Sequence, residues 1–235
     1  MLPRRIVPMG GGGFSMEPRN PRLDKWLVSL ARRSRPRVLF IPTASGDAKD
    51  YIRRFYRAFA RYPCRPTHLQ LFNRVAVDLR KQVVSQDLIY VGGGNTANLL
   101  AIWKVHGLDN ALREAWHEGV VLCGVSAGAI CWFEGGVTDS FGQTLRALEG
   151  GLALLPGSFC PHYDGDARRR PVFHRLVAGR RLPAGFAADD GAAILFEGEN
   201  VADVVRSRRE AAAYRVSRKG DRSVEETLEA RLLLR

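Results

Sequence analysis

The chain has 235 residues, 46% of them hydrophobic and 26% charged, so it can bury a full core, which excludes global disorder. Its net charge of +12 comes mainly from arginine pairs and triplets scattered along the chain. Because nucleic-acid binders usually concentrate basic charge on one element, this pattern predicts a solvated surface and no nucleic-acid partner. A secondary role of the charge in attracting acidic substrates stays open.

Cysteine usage and hydropathy bear on metal binding and location. The cysteines are Cys64, Cys123, Cys131 and Cys160, with no C-x-x-C spacing and no histidine at zinc-finger distance. We therefore predict no metal site and a reducing, cytoplasmic compartment. No apolar run is long enough to span a membrane, and no signal peptide is evident. The sequence leaves the oligomeric state open, a homo-oligomer included.

The first half of the chain alternates strand-like and helical segments. The predicted strands are Arg5–Met9, Val38–Pro42, Thr67–Phe72, Asp87–Val91 and Val120–Cys123, and the predicted helices are Leu23–Arg32, Tyr51–Tyr62, Asn98–Val105 and Asn110–Glu118. This alternation predicts a mostly parallel sheet with helices on both faces, in a single α/β domain spanning residues 1–235.

The last third of the chain has a different pattern. Ala192–Phe196 and Val201–Val204 are short predicted strands, and the polar turn between them is typical of a hairpin. Ala211–Val216 is a predicted edge strand, and residues 224–234 receive no assignment.

Several predicted strands end in small, polar loops. Thr43–Asp47, Gly92–Thr96 and Gly124–Gly128 each follow an apolar strand, and ligands of open parallel sheets bind beyond the carboxyl ends of the strands. We therefore expect the three loops to meet along one edge of the sheet. The glycine run Gly10–Gly13, after the first strand, predicts a loop with a close backbone approach to another segment.

The last of these loops carries the pattern G-x-S-x-G, the signature of a nucleophile elbow, with Ser126 at its centre. The glycines are needed because a side chain at either place would collide with the neighbouring strand or helix. The pattern alone also fits a plain glycine-rich turn. Its position between an apolar strand and a helix start favours the catalytic interpretation.

A serine nucleophile needs a base within hydrogen-bond reach, usually a histidine. His162 lies where an apolar segment breaks into a loop, directly after a proline that fixes the backbone. We predict His162 as the base. Surface or cap roles are predicted for the other histidines, which are His68, His106, His117 and His174.

The base needs a carboxylate at its other ring nitrogen, and the candidates lie between the serine and the histidine. Asp139 lies past a Gly-Gly break, from which the chain can return toward the site. Glu134 lies about 12 Å along a helix axis from the serine, which is reachable only if the helix ends early. Glu149 fits less well. We predict Asp139, with Glu134 as the alternative.

An oxyanion hole needs two converging backbone N–H groups. Ala127, directly after the serine, supplies the first. Gly94, at the end of the neighbouring predicted strand, is the natural second, because a glycine lets the backbone approach closely.

Assembled in this order, the motifs resemble the peptidase S51 family, whose members include peptidase E, an aspartyl dipeptidase. The resemblance covers roughly residues 5 to 204, and its motifs are VGGGNTANLL (91–100), GVSAGAICWF (124–133), PHYDGD (161–166), FIPTASGD (40–47) and ADDGAAILFEG (188–198). The linked set is much more specific than the elbow alone.

The resemblance implies a class I glutamine-amidotransferase-like, flavodoxin-type fold and a serine peptidase with a Ser-His-Asp/Glu triad. In family terms Ser126 corresponds to the nucleophile and His162 to the base, Gly94 and Ala127 correspond to the oxyanion donors, and the acid falls near Asp139. The family preference for an N-terminal aspartate implies an arginine after the histidine. The predicted substrate-binding residues are Asn95, Arg168, Arg169 and Arg170.

We therefore predict a serine peptidase that hydrolyses short peptides without a metal or cofactor, with an N-terminal Asp preference or a related one. An α/β-hydrolase esterase shares the elbow but usually places its histidine after the last strand. A glutaminase-like enzyme would carry cysteine in place of Ser126. A non-catalytic binding protein on the same scaffold is the alternative of another class.

Overall fold

The structure is a computed structural model that describes residues 3–74 and 78–234. Residues 1, 2, 75–77 and 235 of the predicted domain lie outside the described residues. The described strands are β1 (Arg5–Met9), β2 (Arg37–Ile41), β3 (Arg65–His68), β4 (Leu88–Val91), β5 (Val121–Val125), β6 (Gly135–Thr138), β7 (Arg146–Glu149), β8 (Ser158–Cys160), β9 (Gly185–Ala188), β10 (Ala192–Glu197), β11 (Asn200–Arg206), β12 (Ala213–Lys219), β13 (Arg222–Leu228) and β14 (Arg231–Leu232). The helices are α1 (Gly13–Met16), α2 (Arg22–Leu30), α3 (Lys49–Phe59), α4 (Leu79–Val84), α5 (Thr96–His106), α6 (Leu108–His117), α7 (Ala127–Ile130) and α8 (Arg169–Ala178), with a 3₁₀ turn at Thr43–Ser45.

The main sheet has the strand order β14-β11-β10-β1-β5-β4-β2-β3. Neighbours from β1 to β3 run parallel, whereas β10 is antiparallel to both β1 and β11. The inner strands β4 and β5 are buried throughout, because helices cover both faces of the sheet. The predicted fold class, a mostly parallel sheet in an α/β fold, is confirmed.

Each face of this sheet has its own apolar layer. On the face of α2 and α3 lies an aromatic cluster in which the Phe40 ring stacks on Phe55 with centroids 4.8 Å apart. The other face packs against α4, α5 and α6, where Trp103 and Leu112 are fully buried. Burial of these rings and aliphatic side chains is the main driving force that holds the helices on the sheet.

A second sheet, which the sequence did not predict, has the order β13-β12-β9-β8-β6-β7. Its strands β6 to β9 are only three or four residues long, and two of them contain glycine, so they carry little hydrophobic periodicity. The predicted edge strand Ala211–Val216 is β12, which pairs on both sides, with β9 and β13. The unassigned segment 224–234 contains most of β13 and all of β14.

Of the other elements, the hairpin agrees with the prediction, and one strand is shorter than predicted because of local contacts. The hairpin is confirmed as β10 and β11, with Glu197 paired to Asn200. The predicted strand Thr67–Phe72 ends at His68, because the amides of Leu71 and Phe72 turn away to donate to Asp47 Oδ2 at 2.6 and 2.9 Å.

The three polar loops meet at the carboxyl edge of the main sheet, as predicted. The Asn95 amide donates to the Ala44 carbonyl at 2.8 Å. A Cβ placed on Gly93 would lie 3.4 Å from Ser126 Cβ. In the part of the chain that the structure describes, no helix combines the length and apolar character needed to cross a bilayer.

Candidate active site

Ser126 stands between β5 and α7 in a strained conformation. Its φ of 57° and ψ of −114° lie in a region that costs a non-glycine residue about 1–3 kcal/mol. The flanking glycines are required because a Cβ on Gly124 would lie 2.0 Å from the Gly128 carbonyl oxygen. A Cβ on Gly128 would lie 2.3 Å from the Val91 carbonyl oxygen. This geometry is that of a nucleophile elbow, and it leaves the serine half-buried at the rim.

The end of β1 brings His162 to the same rim. The Ser126 amide donates to the Met9 carbonyl at 3.2 Å, and the His162 amide donates to the carbonyl of the next residue, Gly10, at 3.3 Å. His162 also has a positive φ, of 52°. Within the described chain, Ser126 Oγ has no hydrogen-bond partner. Nucleophile–base hydrogen bonds are often long before substrate binds, so the shared backbone anchor is the informative observation.

The carboxylate that holds the His162 ring is Asp190. His162 Nδ1 and Asp190 Oδ1 are 2.6 Å apart, and their side chains are only 21% and 16% exposed. The hydrogen bond from Nδ1 leaves Nε2 to face a proton donor. The expectation that Asp139 or Glu134 would occupy this position was wrong.

Both predicted carboxylates are held elsewhere by the local chain. Asp139 follows β6 in a loop, where it is 61% exposed and lies 3.7 Å from the Arg169 guanidinium. That loop is tied to the start of α5, because Ser140 Oγ accepts from the Thr96 amide at 2.9 Å. Helix α7 is a single turn, so Glu134 directly precedes β6 of the second sheet and is exposed.

Asp190 is itself anchored. Its amide donates to Asp164 Oδ1 at 2.7 Å, and Arg208 bridges Asp164 and the Asp190 carbonyl. Burial opposes ionisation of the Asp190 carboxyl, but the hydrogen bond from His162 and the nearby charge of Arg208 outweigh it and hold its pKa below the ordinary value. Asp190 is therefore charged at neutral pH. A Cβ on Gly11 would lie 1.9 Å from its Oδ1, which explains why a glycine is needed at that position.

The signal for Asp190 was present in the sequence, in the segment ADDGAAILFEG. Asp190 follows His162 in the chain, outside the segment between the serine and the histidine in which the acid was predicted. Strand β10 lies antiparallel beside β1, so the residues that precede it sit at the same edge as the glycine loop after β1. That pairing is not apparent from chain order.

Two backbone amides are available next to the serine. Among the described residues, none accepts a hydrogen bond from the N–H of Gly94 or of Ala127. The amide of Gly93, which precedes Gly94, is already engaged, since it donates to the Tyr51 hydroxyl at 3.2 Å. Tyr51 in turn is hydrogen-bonded to Ser15 of α1. Free N–H groups beside a nucleophile are what an oxyanion hole requires.

The predicted substrate-binding side chains are all engaged within the protein. Asn95 caps α5 by accepting from the Asn98 amide at 2.9 Å, and its Nδ2 donates to the Ser140 carbonyl at 2.9 Å. Arg168 is exposed and forms a bidentate ion pair with Asp166.

The other two arginines of that run are also paired. Arg169 is buried and donates to the Val137 carbonyl at 3.2 Å. Arg170 lies 3.0 Å from Glu225 and stacks on Tyr163 and Tyr214. In the described ranges, no group of three or more His, Cys, Asp or Glu side chains could hold a metal ion.

Comparison with known proteins places this geometry in context. The family model for peptidase family S51 matches residues 6–204 of the chain. The chain is 55% identical over 213 residues to YgaJ of Bacillus subtilis (strain 168), an uncharacterised peptidase, covering 91% of this chain and 92% of that protein.

Two solved structures share the fold. A peptidase from an acI-B1 actinobacterium superimposes with a TM-score of 0.72 at 19% identity, covering 97% of this chain and 95% of that one. A protein assigned to peptidase E, from Listeria monocytogenes EGD-e, gives a TM-score of 0.61 at 17% identity, covering 97% and 100%. At these identities the likeness concerns the fold alone, and it agrees with the class I glutamine-amidotransferase-like architecture.

Proposed function

The chain belongs to peptidase family S51, and on that premise we propose that it hydrolyses short peptides by a serine mechanism. The observation that carries the proposal is the His162–Asp190 pair beside a strained serine, Ser126, with two nearby amides that have no acceptor among the described residues. These are the parts of an acyl-transfer site: a nucleophile, an oriented base and an oxyanion hole.

The proposed reaction has two halves. Ser126 Oγ attacks the peptide carbonyl while His162 Nε2 takes its proton, and the amides of Gly94 and Ala127 stabilise the oxyanion. His162 then protonates the leaving amine, and the acyl-enzyme forms. Water, deprotonated by His162, attacks the acyl-enzyme and releases the acid product together with the free serine.

Asp190 supplies orientation and charge. Its carboxylate accepts from Nδ1, which fixes the tautomer that presents a basic Nε2 to the serine. Because Asp190 stays ionised, it also stabilises the imidazolium that forms during attack. The anchor formed by Asp164 and Arg208 holds the backbone of Asp190 in place.

For specificity we propose a dipeptidase or aminopeptidase type of substrate, with Arg168 as the candidate for an N-terminal aspartate. Arg168 has the most exposed side chain of the three arginines, at 65%. Its guanidinium must leave Asp166 to reach a substrate, so the preference for aspartate should be weaker than with a free arginine. Hydrolysis rates across a dipeptide panel that includes Asp-X and Ala-X, repeated with Arg168→Ala, test this proposal; equal rates for both substrates would rule out the preference.

The nucleophile is tested by Ser126→Ala. We expect loss of peptide hydrolysis by at least about a thousandfold and loss of labelling by a fluorophosphonate probe, with an unchanged circular dichroism spectrum. The matched control is Ser45→Ala, at the same rim, because the Ser45 hydroxyl donates to the Pro42 carbonyl at 2.8 Å and has no proposed chemical role. Hydrolysis retained in Ser126→Ala would remove the serine mechanism.

A further inference from the structure

The amino edge of the main sheet, opposite the candidate active site, gathers arginines that are far apart in sequence. Arg5, Arg37 and Arg65 are the first residues of β1, β2 and β3, which run parallel and therefore begin at the same edge. The segment between α2 and β2 adds Arg32, Arg33 and Arg35. These six arginines line two adjoining cavities of about 390 and 430 Å³, which we call the amino-edge cleft.

Part of this positive charge is neutralised by carboxylates, which also hold the arginine side chains in place. Asp87 lies 3.1 Å from Arg33 and 3.2 Å from Arg37, and its side chain is only 12% exposed. Burial opposes ionisation of Asp87, but Arg37 and Arg33 hold its pKa below the ordinary value. At the other end, Arg5 is held by Glu197 at 2.7 Å and by the Leu30 carbonyl at 3.3 Å.

The remaining arginines have no such partner. Among residues 3–74 and 78–234, none forms a hydrogen bond or an ion pair with the side chains of Arg32, Arg35 or Arg65. Arg65 is also the direct neighbour of Arg37 in the parallel register of β2 and β3. Two guanidinium groups at neighbouring strand positions repel each other unless an anion lies between them.

The ends of α2, α4 and α6 at this edge do not balance the charge. A helix C-terminus carries about half a negative charge, and arginines near it are stabilising, so these three helix ends supply roughly one and a half charges. Among the described residues, the carboxylates at the cleft are Asp87, Glu118 and Glu197, which leaves an excess of three arginines over acidic residues. Positive charge remains after both are counted.

We infer that the amino-edge cleft binds a small anion with several phosphate charges. Guanidinium groups bind phosphate oxygens in bidentate pairs, and a chain of phosphates can engage several of them at once. Arg37 and Arg5 are held in place by their ion pairs, while Arg32, Arg35 and Arg65 are exposed and have no ion-pair partner among the described residues. Cavities of this size accommodate a small ligand. The site is separate from Ser126, because the two lie at opposite edges of the sheet.

The test is isothermal titration calorimetry of the full chain with sodium tripolyphosphate at physiological ionic strength. We expect saturable binding of one equivalent, weakened at least about tenfold in the double variant Arg35→Gln/Arg65→Gln. The matched control is Arg218→Gln/Arg222→Gln, which removes the same charge from exposed positions of β12 and β13 and should leave the affinity unchanged.

A variant that removes a negative charge distinguishes a binding site from general electrostatic attraction, because its expected effect on affinity has the opposite sign. Asp87→Asn removes the carboxylate between Arg33 and Arg37 and should tighten binding about threefold. If Asp87→Asn does not fold, Glu118→Gln serves the same purpose, because Glu118 also lines the cleft and is exposed. The proposal fails if binding is not saturable, if both double variants weaken it equally, if neither acidic variant tightens it, or if only a polynucleotide binds.

Discussion

The two edges of the main sheet differ in how they are specialised. At the carboxyl edge the chain uses backbone geometry: Ser126 and His162 both have positive φ values, and two amides have no partner within the part of the chain that the structure describes. At the amino edge no described non-glycine residue that lines the cleft has a positive φ, and the specialisation lies in the arginine side chains. Catalysis requires positioning within fractions of an ångström, whereas attraction of an anion requires mainly excess charge.

The largest expected effect at the carboxyl edge follows from Asp190→Asn. Asparagine keeps the size of the side chain but favours the wrong tautomer of His162, so we expect kcat for a dipeptide to fall by about 10³–10⁴. The control is Asp139→Asn, which should change kcat less than twofold, because Asp139 is exposed and lies beside Arg169. If instead Asp139→Asn were the inactive variant, the assignment of the acid would be reversed.

A buried acid beneath the same edge ties stability to pH. Asp24 is 2% exposed, and burial raises its pKa from 3.8 to about 7. The folded protein therefore keeps this proton between pH 4 and 7, where the unfolded chain releases it, so its contribution to stability is complete below about pH 4 and is lost as the pH rises through 7.

We accordingly expect Asp24→Asn to be more stable than the parent at pH 8, by up to about 4 kcal/mol, and to differ little from it at pH 4. Urea unfolding at the two pH values measures this difference. Asp50→Asn, an exposed position on α3, is the control and should show no such dependence. A gain in stability of equal size at both pH values would contradict the argument.

A smaller effect is expected from the support beneath the oxyanion loop. In Tyr51→Phe the Gly93 amide loses its acceptor, so the neighbouring Gly94 N–H is held less firmly. We expect kcat to fall about tenfold with little change in KM, since the oxyanion forms only in the transition state. The matched control on the same helix is Tyr56→Phe, whose hydroxyl contacts His68 at 2.8 Å away from the loop. A change confined to KM would point to substrate binding instead.

The smallest expected effect tests whether the two edges are independent. Arg35→Gln/Arg65→Gln should leave kcat/KM for a dipeptide within about twofold of the parent value, because these residues lie at the opposite edge of the main sheet from Ser126. A steady-state assay without added phosphate measures it. A large loss of activity would show that the amino edge also serves the peptidase reaction.

The local sequence pattern was sufficient to predict much of the structure at the carboxyl edge. The alternation of strand-like and helical segments predicted the parallel sheet, and the glycines around Ser126 predicted the elbow. The chemistry of Ser126 and His162 stays a prediction, but their positions near one backbone loop could be anticipated because carboxyl ends of parallel strands share an edge. These features depend on short-range periodicity and on glycine geometry, which a sequence displays directly.

The tertiary structure alone decided which carboxylate holds His162 and where the arginines gather. Asp190 reaches the histidine because β10 pairs antiparallel with β1, and Arg37 meets Arg65 because β2 and β3 are neighbours in register. Both are contacts between segments 28 or more residues apart. Such contacts follow from strand order, which depends on packing over the whole chain and leaves no local trace in the residues that finally touch.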